Sequence, residues 1–194
     1  MNYSNVKFSA AYGTSQQLPP SRRAEVSFAG RSNVGKSSLL NRLFNRKKLA
    51  KVSSKPGKTS TINFFEADAA DFVDLPGYGY AQVSKAEKAR WAEMIEGYFN
   101  QDRNVALVVS LIDVRHPATA LDEHMVGFLV DSGLPFIIVQ TKADKLSKSQ
   151  VLQSQAALRK QLNLPQDVAI VAVSSERGTG IDTLKQCIDT FLEA

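Results

Sequence analysis

The sequence lacks several features that define whole classes of protein. It has one cysteine, Cys187, in 194 residues, so an internal disulfide is excluded and a reducing compartment is favoured. It also lacks an apolar run long enough to cross a bilayer and a secretory signal pattern. Internal repeats and low-complexity stretches are absent too. With 43% hydrophobic residues, the chain is expected to form one buried domain in the cytoplasm.

Acidic residues are missing from one continuous part of the chain. Residues 26–65 contain nine Lys and Arg and no Asp or Glu, whereas the remainder contains 15 basic and 19 acidic residues. The net charge of +5 therefore resides in this part, which predicts either a solvated loop or a surface that binds a polyanion. Its basic residues are Arg31, Lys36, Arg42, Arg46, Lys47, Lys48, Lys51, Lys55 and Lys58.

A phosphate-binding motif lies inside this basic part. The segment reads Gly30-Arg31-Ser32-Asn33-Val34-Gly35-Lys36-Ser37 and matches G-x-x-x-x-G-K-[ST]. An apolar strand at 26–29 precedes it and a helix at 38–43 follows, so the helix N-terminus faces the anion. Backbone N–H groups and the Lys36 ammonium are expected to bind phosphates, and the Ser37 hydroxyl to bind Mg²⁺. The chain is predicted to bind a nucleoside triphosphate.

Two further motifs follow apolar strands. Asp74-Leu75-Pro76-Gly77 places a carboxylate where it holds Mg²⁺ through water and a glycine where its N–H approaches the γ-phosphate. Thr141-Lys142-Ala143-Asp144 resembles the N/T-K-x-D motif, in which the Asp pairs with guanine and the Lys stem lies along the base. Adenine lacks the matching donors, so the motif favours GTP over ATP. Thr141 replaces the usual Asn and keeps a hydroxyl that bonds to the phosphate loop.

Two loops complete the predicted site. Val173-Ser174-Ser175 follows the last strand, where GTPases place a backbone N–H against the guanine carbonyl oxygen. The segment 55–61 lies between the first two motifs and offers hydroxyls that close on Mg²⁺ when the γ-phosphate is present. Thr59 follows the Pro56-Gly57 hinge and is the predicted ligand, with Thr61 as the reserve.

The order of elements predicts an α/β fold. Strands at 26–29, 105–112, 135–140 and 168–173 alternate with helices at 85–98, 119–130, 147–162 and 181–192, and residues 62–67 and 71–73 read as an antiparallel hairpin. The prediction is one P-loop GTPase (G) domain over residues 24–194, after an extended lead-in over residues 1–23. Its sheet is expected to have six mostly parallel strands with one antiparallel edge strand, helices on both faces, and the ligand at the carboxyl ends of the strands.

These motifs resemble the Era/TrmE-type GTPases, and most closely the EngB (YihA/YsxC) family of bacterial ribosome-assembly GTPases. The matching stretches are residues 30–38, Pro56-Gly57-Lys58-Thr59, Ile62-Asn63-Phe64-Phe65, Asp74-Leu75-Pro76-Gly77-Tyr78-Gly79-Tyr80-Ala81, Asp113-Val114-Arg115-His116-Pro117 and Thr141-Lys142-Ala143-Asp144. The resemblance implies a monomeric GTPase that binds GTP and GDP with Mg²⁺. It implies a large ribosomal subunit precursor, its rRNA and ribosomal proteins, as the partner, with no membrane or DNA involved.

The predicted functional residues form three sets. The nucleotide-binding set is Gly30, Arg31, Ser32, Asn33, Val34, Gly35, Lys36, Ser37, Ser38, Gly57, Lys58, Thr59, Ser60, Thr61, Asp74, Leu75, Pro76, Gly77, Thr141, Lys142, Ala143, Asp144, Val173, Ser174 and Ser175. The Mg²⁺ set is Ser37, Thr59 and Asp74, and the catalytic set is Lys36, Thr59 and Asn33.

One position departs from the Ras pattern. Ras-type enzymes carry a water-orienting Gln directly after D-x-x-G, whereas this chain carries Tyr78. Unaided hydrolysis is therefore expected to be slow. Related GTPases with Asn at the Asn33 position use it to ligate K⁺ beside the phosphates, so Asn33 is a candidate K⁺ ligand, or it only stabilises the loop.

Two other classes of function compete with a ribosome-assembly GTPase: a different P-loop enzyme, and a guanine-nucleotide switch with another target. A P-loop ATPase or a nucleotide kinase would have no use for Thr141-Lys142-Ala143-Asp144, and no Arg-rich lid segment is visible for a phosphoryl acceptor. A guanine-nucleotide switch acting on tRNA or at a membrane would need an RNA-binding domain, a lipidation site or a basic amphipathic helix.

Overall fold

A computed structural model of the chain describes residues 1–50, 60–79 and 84–194. The strands are β1 (Lys7–Tyr12), β2 (Ala24–Gly30), β3 (Ile62–Glu66), β4 (Ala70–Asp74), β5 (Val105–Asp113), β6 (Phe136–Thr141) and β7 (Ile170–Ala172). The helices are α1 (Lys36–Leu43), α2 (Lys85–Phe99), α3 (Ala120–Ser132), α4 (Lys148–Gln161) and α5 (Ile181–Glu193). None of the helices in these residues has the length and apolar character needed to cross a membrane.

The strands form one sheet in the order β1-β3-β4-β2-β5-β6-β7. Strand β2 pairs in parallel with β4 on one side and with β5 on the other, and β3 runs antiparallel to its neighbours. The connection after β2 leads to β3 and β4 on one side of β2, and the later strands β5, β6 and β7 are added on the other side. The loop after β2 therefore lies where the strand order reverses. Open α/β sheets bind their ligands at this point. The predicted fold class is confirmed.

Two apolar layers cover the faces of the sheet. Alternate residues of β5 point to opposite layers: Leu107 and Val109 join the layer under α1 and α5, whereas Val108 joins the layer under α2, α3 and α4. Such near-continuous apolar strands are typical of a parallel sheet that is buried on both faces. On α2, the residues Trp91, Met94, Ile95 and Tyr98 recur at helical spacing and are all buried.

The helix starts follow their capping residues. Helix α4 begins after Ser147, whose side chain accepts from the N–H of Gln150 in a capping box. Helix α3 begins after Thr119 with an equivalent box to Asp122. Cys187 on α5 is half-buried and packs against the core. His124 on α3 is exposed.

The sheet of the described residues has seven strands, whereas the sequence predicts six. The additional strand is β1, which pairs antiparallel with β3, so the antiparallel strand does not lie at the edge. The sequence does not predict β1 because the strand has no buried face that would give an alternating apolar pattern. Its pairing with β3 also shifts register between Phe8 and Ala10. The aromatic contact of Phe8 with Phe65, 5.9 Å between ring centroids, holds it to β3.

The lead-in also reaches the last helix of the fold. Tyr3 is buried, and its hydroxyl donates to Asp189 Oδ1 at 2.8 Å and lies 3.1 Å from the Lys185 carbonyl, both on α5. The lead-in is also bonded to α2, where Arg90 donates to the Gly13 carbonyl at 3.0 Å and Ser15 donates to Glu93. It is therefore attached to β3, α5 and α2.

Candidate functional site

The loop between β2 and α1 has the shape of a phosphate cradle. Gly35 has φ +102°, which favours glycine, and a Cβ on Gly30 would lie 3.0 Å from Val34 and 3.1 Å from Leu111. Helix α1 starts directly after the loop at Lys36, so the positive end of its dipole faces the loop at this point. Gly35 thus allows the left-handed turn of the loop, and Gly30 allows its close packing against Val34 and Leu111.

Lys36 and Asp74 form an ion pair with a direct hydrogen bond. Asp74 ends β4 beside β2, and Lys36 opens α1, so two neighbouring strand ends bring the first two motifs together. Ser37 is the next residue of α1. Hydroxyl and carboxylate oxygens are ligands that Mg²⁺ accepts beside substrate phosphates. The donor set therefore fits the predicted ion, although the described residues hold no cluster of three or more acidic, His or Cys side chains that would bind a metal alone.

The segment after Asp74 lies against the phosphate loop. The Ser32 N–H donates to the Tyr78 carbonyl at 2.7 Å, and the Tyr78 N–H donates to the Gly30 carbonyl at 3.2 Å. Gly77 has to be small here, because a Cβ would lie 3.2 Å from the Ser32 Cα. The D-x-x-G segment is thus in backbone contact with the phosphate loop.

The Tyr78 side chain turns inward to α3. Its hydroxyl donates to Asp122 Oδ1 at 3.0 Å, and both residues are buried. Burial raises the pKa of Tyr78 well above its ordinary value, and the adjacent carboxylate raises it further. Asp122 also accepts from the backbone and hydroxyl of Thr119, so one carboxylate caps α3 and holds Tyr78. The sequence gives no role to Asp122, because its partner Tyr78 lies 44 positions away in the chain.

The Thr141-Lys142-Ala143-Asp144 loop is bonded to the same phosphate loop. The Thr141 hydroxyl donates to the Val34 carbonyl at 2.6 Å, as the sequence predicts for this Asn replacement. Lys142, at φ +61°, donates from Nζ to the Asn33 carbonyl at 3.0 Å. Two consecutive residues of the base motif therefore hold two consecutive carbonyls of the phosphate loop.

Asp144 is held by the loop that follows β7. The Ser174 hydroxyl donates to Asp144 Oδ1 at 2.7 Å, and the Ala143 N–H donates to the Val173 carbonyl at 3.0 Å. The hydrogen bond from Ser174 lowers the pKa of Asp144, so the carboxylate is ionised at neutral pH. Ser174 reads in the sequence only as a residue of the base loop, and its bond to Asp144 is an addition from the structure.

A cavity of about 370 Å³ joins these elements. Its walls come from the first turn of α1, the loop after β6 and the loop after β7, and they are formed by Gly35, Ser38, Thr141, Lys142, Asp144, Lys145, Ser175 and Glu176. The volume lies within the range of small-ligand sites, and a carboxylate stands at its wall. The cavity can take a purine base with Asp144 at its edge.

The remaining predicted residues have different outcomes. Gly57, Lys58 and Thr59 lie outside the described residues, as do Tyr80 and Ala81. Thr61 donates to Asn63 Oδ1 at 2.8 Å at the entry to β3, and the Ser60 carbonyl accepts from Arg90 at 3.2 Å. His116 lines a small cavity of about 100 Å³ beside the phosphate loop.

The fold and the assembled motifs define the class of the protein, a P-loop GTPase. Residues 25–142 match a family model described as 50S ribosome-binding GTPase, which spans β2 to β6 and the base motif up to Lys142.

Comparison with known proteins narrows the class. The chain is 47% identical over 194 residues to the probable GTP-binding protein EngB of Chlorobaculum tepidum, with both chains fully covered. It is 44% identical over 188 residues to the protein of that name from Lachnospira eligens, covering 96% of this chain and 89% of that one. A crystal structure of a probable GTP-binding protein engB superposes with a TM-score of 0.75 at 26% identity, over 88% of this chain and 99% of that one. The chain belongs to the EngB family of GTP-binding proteins and is a GTPase.

Proposed function

We propose that this GTPase is a nucleotide-dependent switch in assembly of the large ribosomal subunit, with the precursor particle as its partner. The observation that carries the proposal is an exposed basic surface at the end of α1 and in the loop after it, formed by Arg42, Arg46, Lys47 and Lys48. Within the described parts of the chain, none of these four side chains forms an ion pair with an acid. The family description as ribosome-binding supports the same partner.

The basic surface stands on a fixed backbone. The Asn41 side chain on α1 donates to the Ala50 carbonyl at 2.8 Å and accepts from the Ala50 N–H at 2.7 Å, and both residues are buried. These bonds close the segment 42–49 into a loop whose charged side chains are exposed, and Arg46 also donates to the Ser4 carbonyl at 3.3 Å. Unpaired cations on a fixed loop lose less on binding phosphate than cations that must first leave an acid. Lys51, Lys55 and Lys58 extend the charge in sequence but lie outside the described residues.

The nucleotide is proposed to bind with guanine at Asp144 and Lys142 and with its phosphates at the β2–α1 loop. Mg²⁺ would neutralise charge on the β- and γ-phosphates, and Ser37, Thr59 and Asp74 are the residues proposed to hold it. Lys36 would contact the phosphates, so its pair with Asp74 has to open when a triphosphate binds.

Hydrolysis is proposed to be slow without help. Tyr78 stands where Ras-type enzymes orient water with Gln, and its hydroxyl is buried against Asp122. Asn33 is the proposed K⁺ ligand: it is exposed at the tip of the phosphate loop in the left-handed conformation, φ +61°.

The proposal places a monomer in the cytoplasm, with residues 24–194 as the GTPase domain and residues 1–23 as its lead-in. A switch acting on tRNA or on a membrane-associated partner is the alternative. Tyr78 is a poor partner-docking residue in either case, because its side chain is buried.

The proposal is tested by sedimenting ribosomal particles with the protein and GTP, GDP or a non-hydrolysable GTP analogue. Binding to large-subunit precursors should be tighter with GTP, and log affinity should fall against log salt by roughly one unit of slope per phosphate neutralised. Lys47, Lys48 and Lys51 together changed to Glu should weaken binding and flatten this dependence while nucleotide affinity stays near normal.

A matched control changes the exposed Lys7, Lys148 and Lys160 to Glu, which gives the same net charge away from the basic surface. If both triple variants lose binding equally, general charge and not this surface attracts the particle. If the protein follows no ribosomal particle with any nucleotide, the ribosomal partner is wrong and the tRNA or membrane alternative takes its place.

A further inference from the structure

Asp113 is an acidic residue that the nucleotide motifs leave unassigned, yet it lies beside the base motif. It is the last residue of β5, and it pairs in parallel register with Thr141, the last residue of β6. Its neighbour across the strand ends is therefore Lys142. The Asp113 Oδ2 atom lies 3.0 Å from the Lys142 ammonium, and the Asp113 side chain is 16% exposed.

The carboxylate has a second cation on its outer side. Arg115 donates to Asp113 Oδ2 at 2.8 Å and to Oδ1 at 3.0 Å, and the Arg115 backbone N–H donates to Oδ1 at 3.0 Å. Partial burial alone would raise the pKa of Asp113, but the hydrogen bonds from Arg115 and Lys142 lower it well below its usual range. Asp113 is therefore an ionised, oriented acceptor throughout the neutral range.

Lys142 is held at its far end by two acceptors. One is Asp113, and the other is the Asn33 carbonyl of the phosphate loop, each 3.0 Å from Nζ. A lysine stem has many rotamers when its ammonium is free, and here a fixed backbone at φ +61° and a fixed ammonium leave it stretched along the wall of the 370 Å³ cavity. The apolar stem thus forms a flat surface against which the face of a base can lie.

We propose that Asp113 is a positioning residue for guanine-nucleotide binding, which acts by holding the Lys142 stem against the face of the base. The inference rests on the placement of guanine beside Lys142 proposed above. Asp144 selects guanine by pairing with the hydrogen-bonding edge of the base. Asp113 instead raises the affinity for the nucleotide by holding the Lys142 stem against the face of the ring. The two carboxylates of this site therefore have separate effects.

The test measures binding of a ribose-labelled fluorescent GDP to Asp113→Asn. The amide keeps the size of the side chain but loses the charge, so the dissociation constant should rise about tenfold, the order expected for a hydrogen bond to a charged group. Binding of the inosine diphosphate analogue should weaken by the same factor, because the ring face is shared and the edge that Asp144 recognises is not.

A double-mutant cycle with Lys142→Met separates positioning from a general structural effect. If Asp113 acts through Lys142, adding Asp113→Asn to Lys142→Met should cost no further affinity, and Asp113→Glu should bind more tightly than Asp113→Asn. The matched control is Asp71→Asn on β4, which removes a comparable carboxylate at 3.2 Å from Arg23, and it should bind within about twofold of the parent.

The possible failures are distinguishable. Parent-like binding by Asp113→Asn, or additive losses in the cycle, overturns the positioning role of Asp113. Parent-like binding by Lys142→Met instead overturns the proposed base site itself. Unfolding midpoints measured without nucleotide show whether each variant is folded, and if Asp113→Asn does not fold, Asp113→Glu in the same cycle with Lys142→Met carries the test.

Discussion

The two ends of the proposed nucleotide site differ in how their groups are engaged. At the base end, Thr141 and Lys142 bond to the phosphate-loop backbone. Asp144 accepts from Ser174 and pairs with the half-exposed Lys145 at 3.2 Å while it lines the cavity. At the phosphate end, the two charged groups that a triphosphate with Mg²⁺ requires, Lys36 and Asp74, are bonded to each other. The base end thus has to displace only an exposed surface lysine, whereas the phosphate end has to break the pair between its own two binding groups.

This difference assigns the nucleotide affinity common to GDP and GTP to the base end and the response to the γ-phosphate to the phosphate end. A preorganised base end contributes the same binding energy to GDP and GTP, because the contacts do not involve phosphate. The phosphate end gains contacts by breaking Lys36–Asp74, and GTP offers it one phosphate more than GDP, so its contacts depend on which nucleotide is present. Differential contacts of this kind are what a nucleotide switch requires.

The largest expected effect breaks the base end. Asp144→Asn should reverse the preference between GTP and XTP, because the amide donates where the xanthine ring bears a carbonyl. A site built to hydrogen-bond one base discriminates by about 10⁴-fold, so the ratio of the two affinities should change by several orders of magnitude. Competition binding with GTP and XTP measures it, with Asp131→Asn on the exposed face of α3 as the control. An unchanged GTP preference would remove Asp144 from the base site.

The next effect breaks the phosphate end. Lys36→Ala should weaken GTP binding by about a hundredfold or more, the usual cost of removing one partner of a buried charged contact. Isothermal titration with GTP and guanosine should show that the loss is confined to the nucleotide with phosphates. The control is Lys88→Ala, which changes an exposed lysine on α2. Equal losses for GTP and guanosine would show that Lys36 supports the fold and not the phosphates.

A smaller effect concerns the ion beside the phosphates. Replacing Na⁺ with K⁺ should accelerate GTP hydrolysis at least about tenfold if K⁺ stabilises developing charge. Asn33→Ala should abolish the acceleration and leave the rate in Na⁺ unchanged. Single-turnover hydrolysis in each salt tests this, and an acceleration that persists in Asn33→Ala excludes Asn33 as the ligand.

The smallest effect sharpens the comparison at the phosphate end. Tyr78→Phe removes the hydroxyl that bonds to Asp122, which should lower the free energy of unfolding by about 1 kcal/mol and speed GTP association a few-fold, because the segment after Asp74 is held less firmly. Stopped-flow binding and urea unfolding measure the two quantities.

Tyr98→Phe provides the matched control for this prediction. The Tyr98 hydroxyl donates to Glu25 at 2.8 Å in a buried contact near the start of β2, away from the phosphate loop. It should lose similar stability without any change in GTP association. If both variants change association alike, the effect comes from general softening of the fold.

The sequence predicted the base end better than the phosphate end. The Thr141 hydroxyl bond follows from the motif itself, because the motif fixes both its chemistry and its position after a strand. The Lys36–Asp74 pair and the inward turn of Tyr78 depend on contacts between residues about 40 positions apart, and no local pattern reports them. Strand β1 was missed for a related reason, since its pairing with β3 exists only once the hairpin has formed.

The hydrogen bond between Tyr3 and Asp189 can form only late in the synthesis of the chain. The two residues are 186 positions apart, yet their atoms lie 2.8 Å from each other. Because a nascent chain emerges N-terminus first, Tyr3 and β1 leave the exit tunnel long before α5 exists. The lead-in therefore docks on α5 only after nearly all the chain has been made, so this contact belongs to the final, most non-local stage of folding.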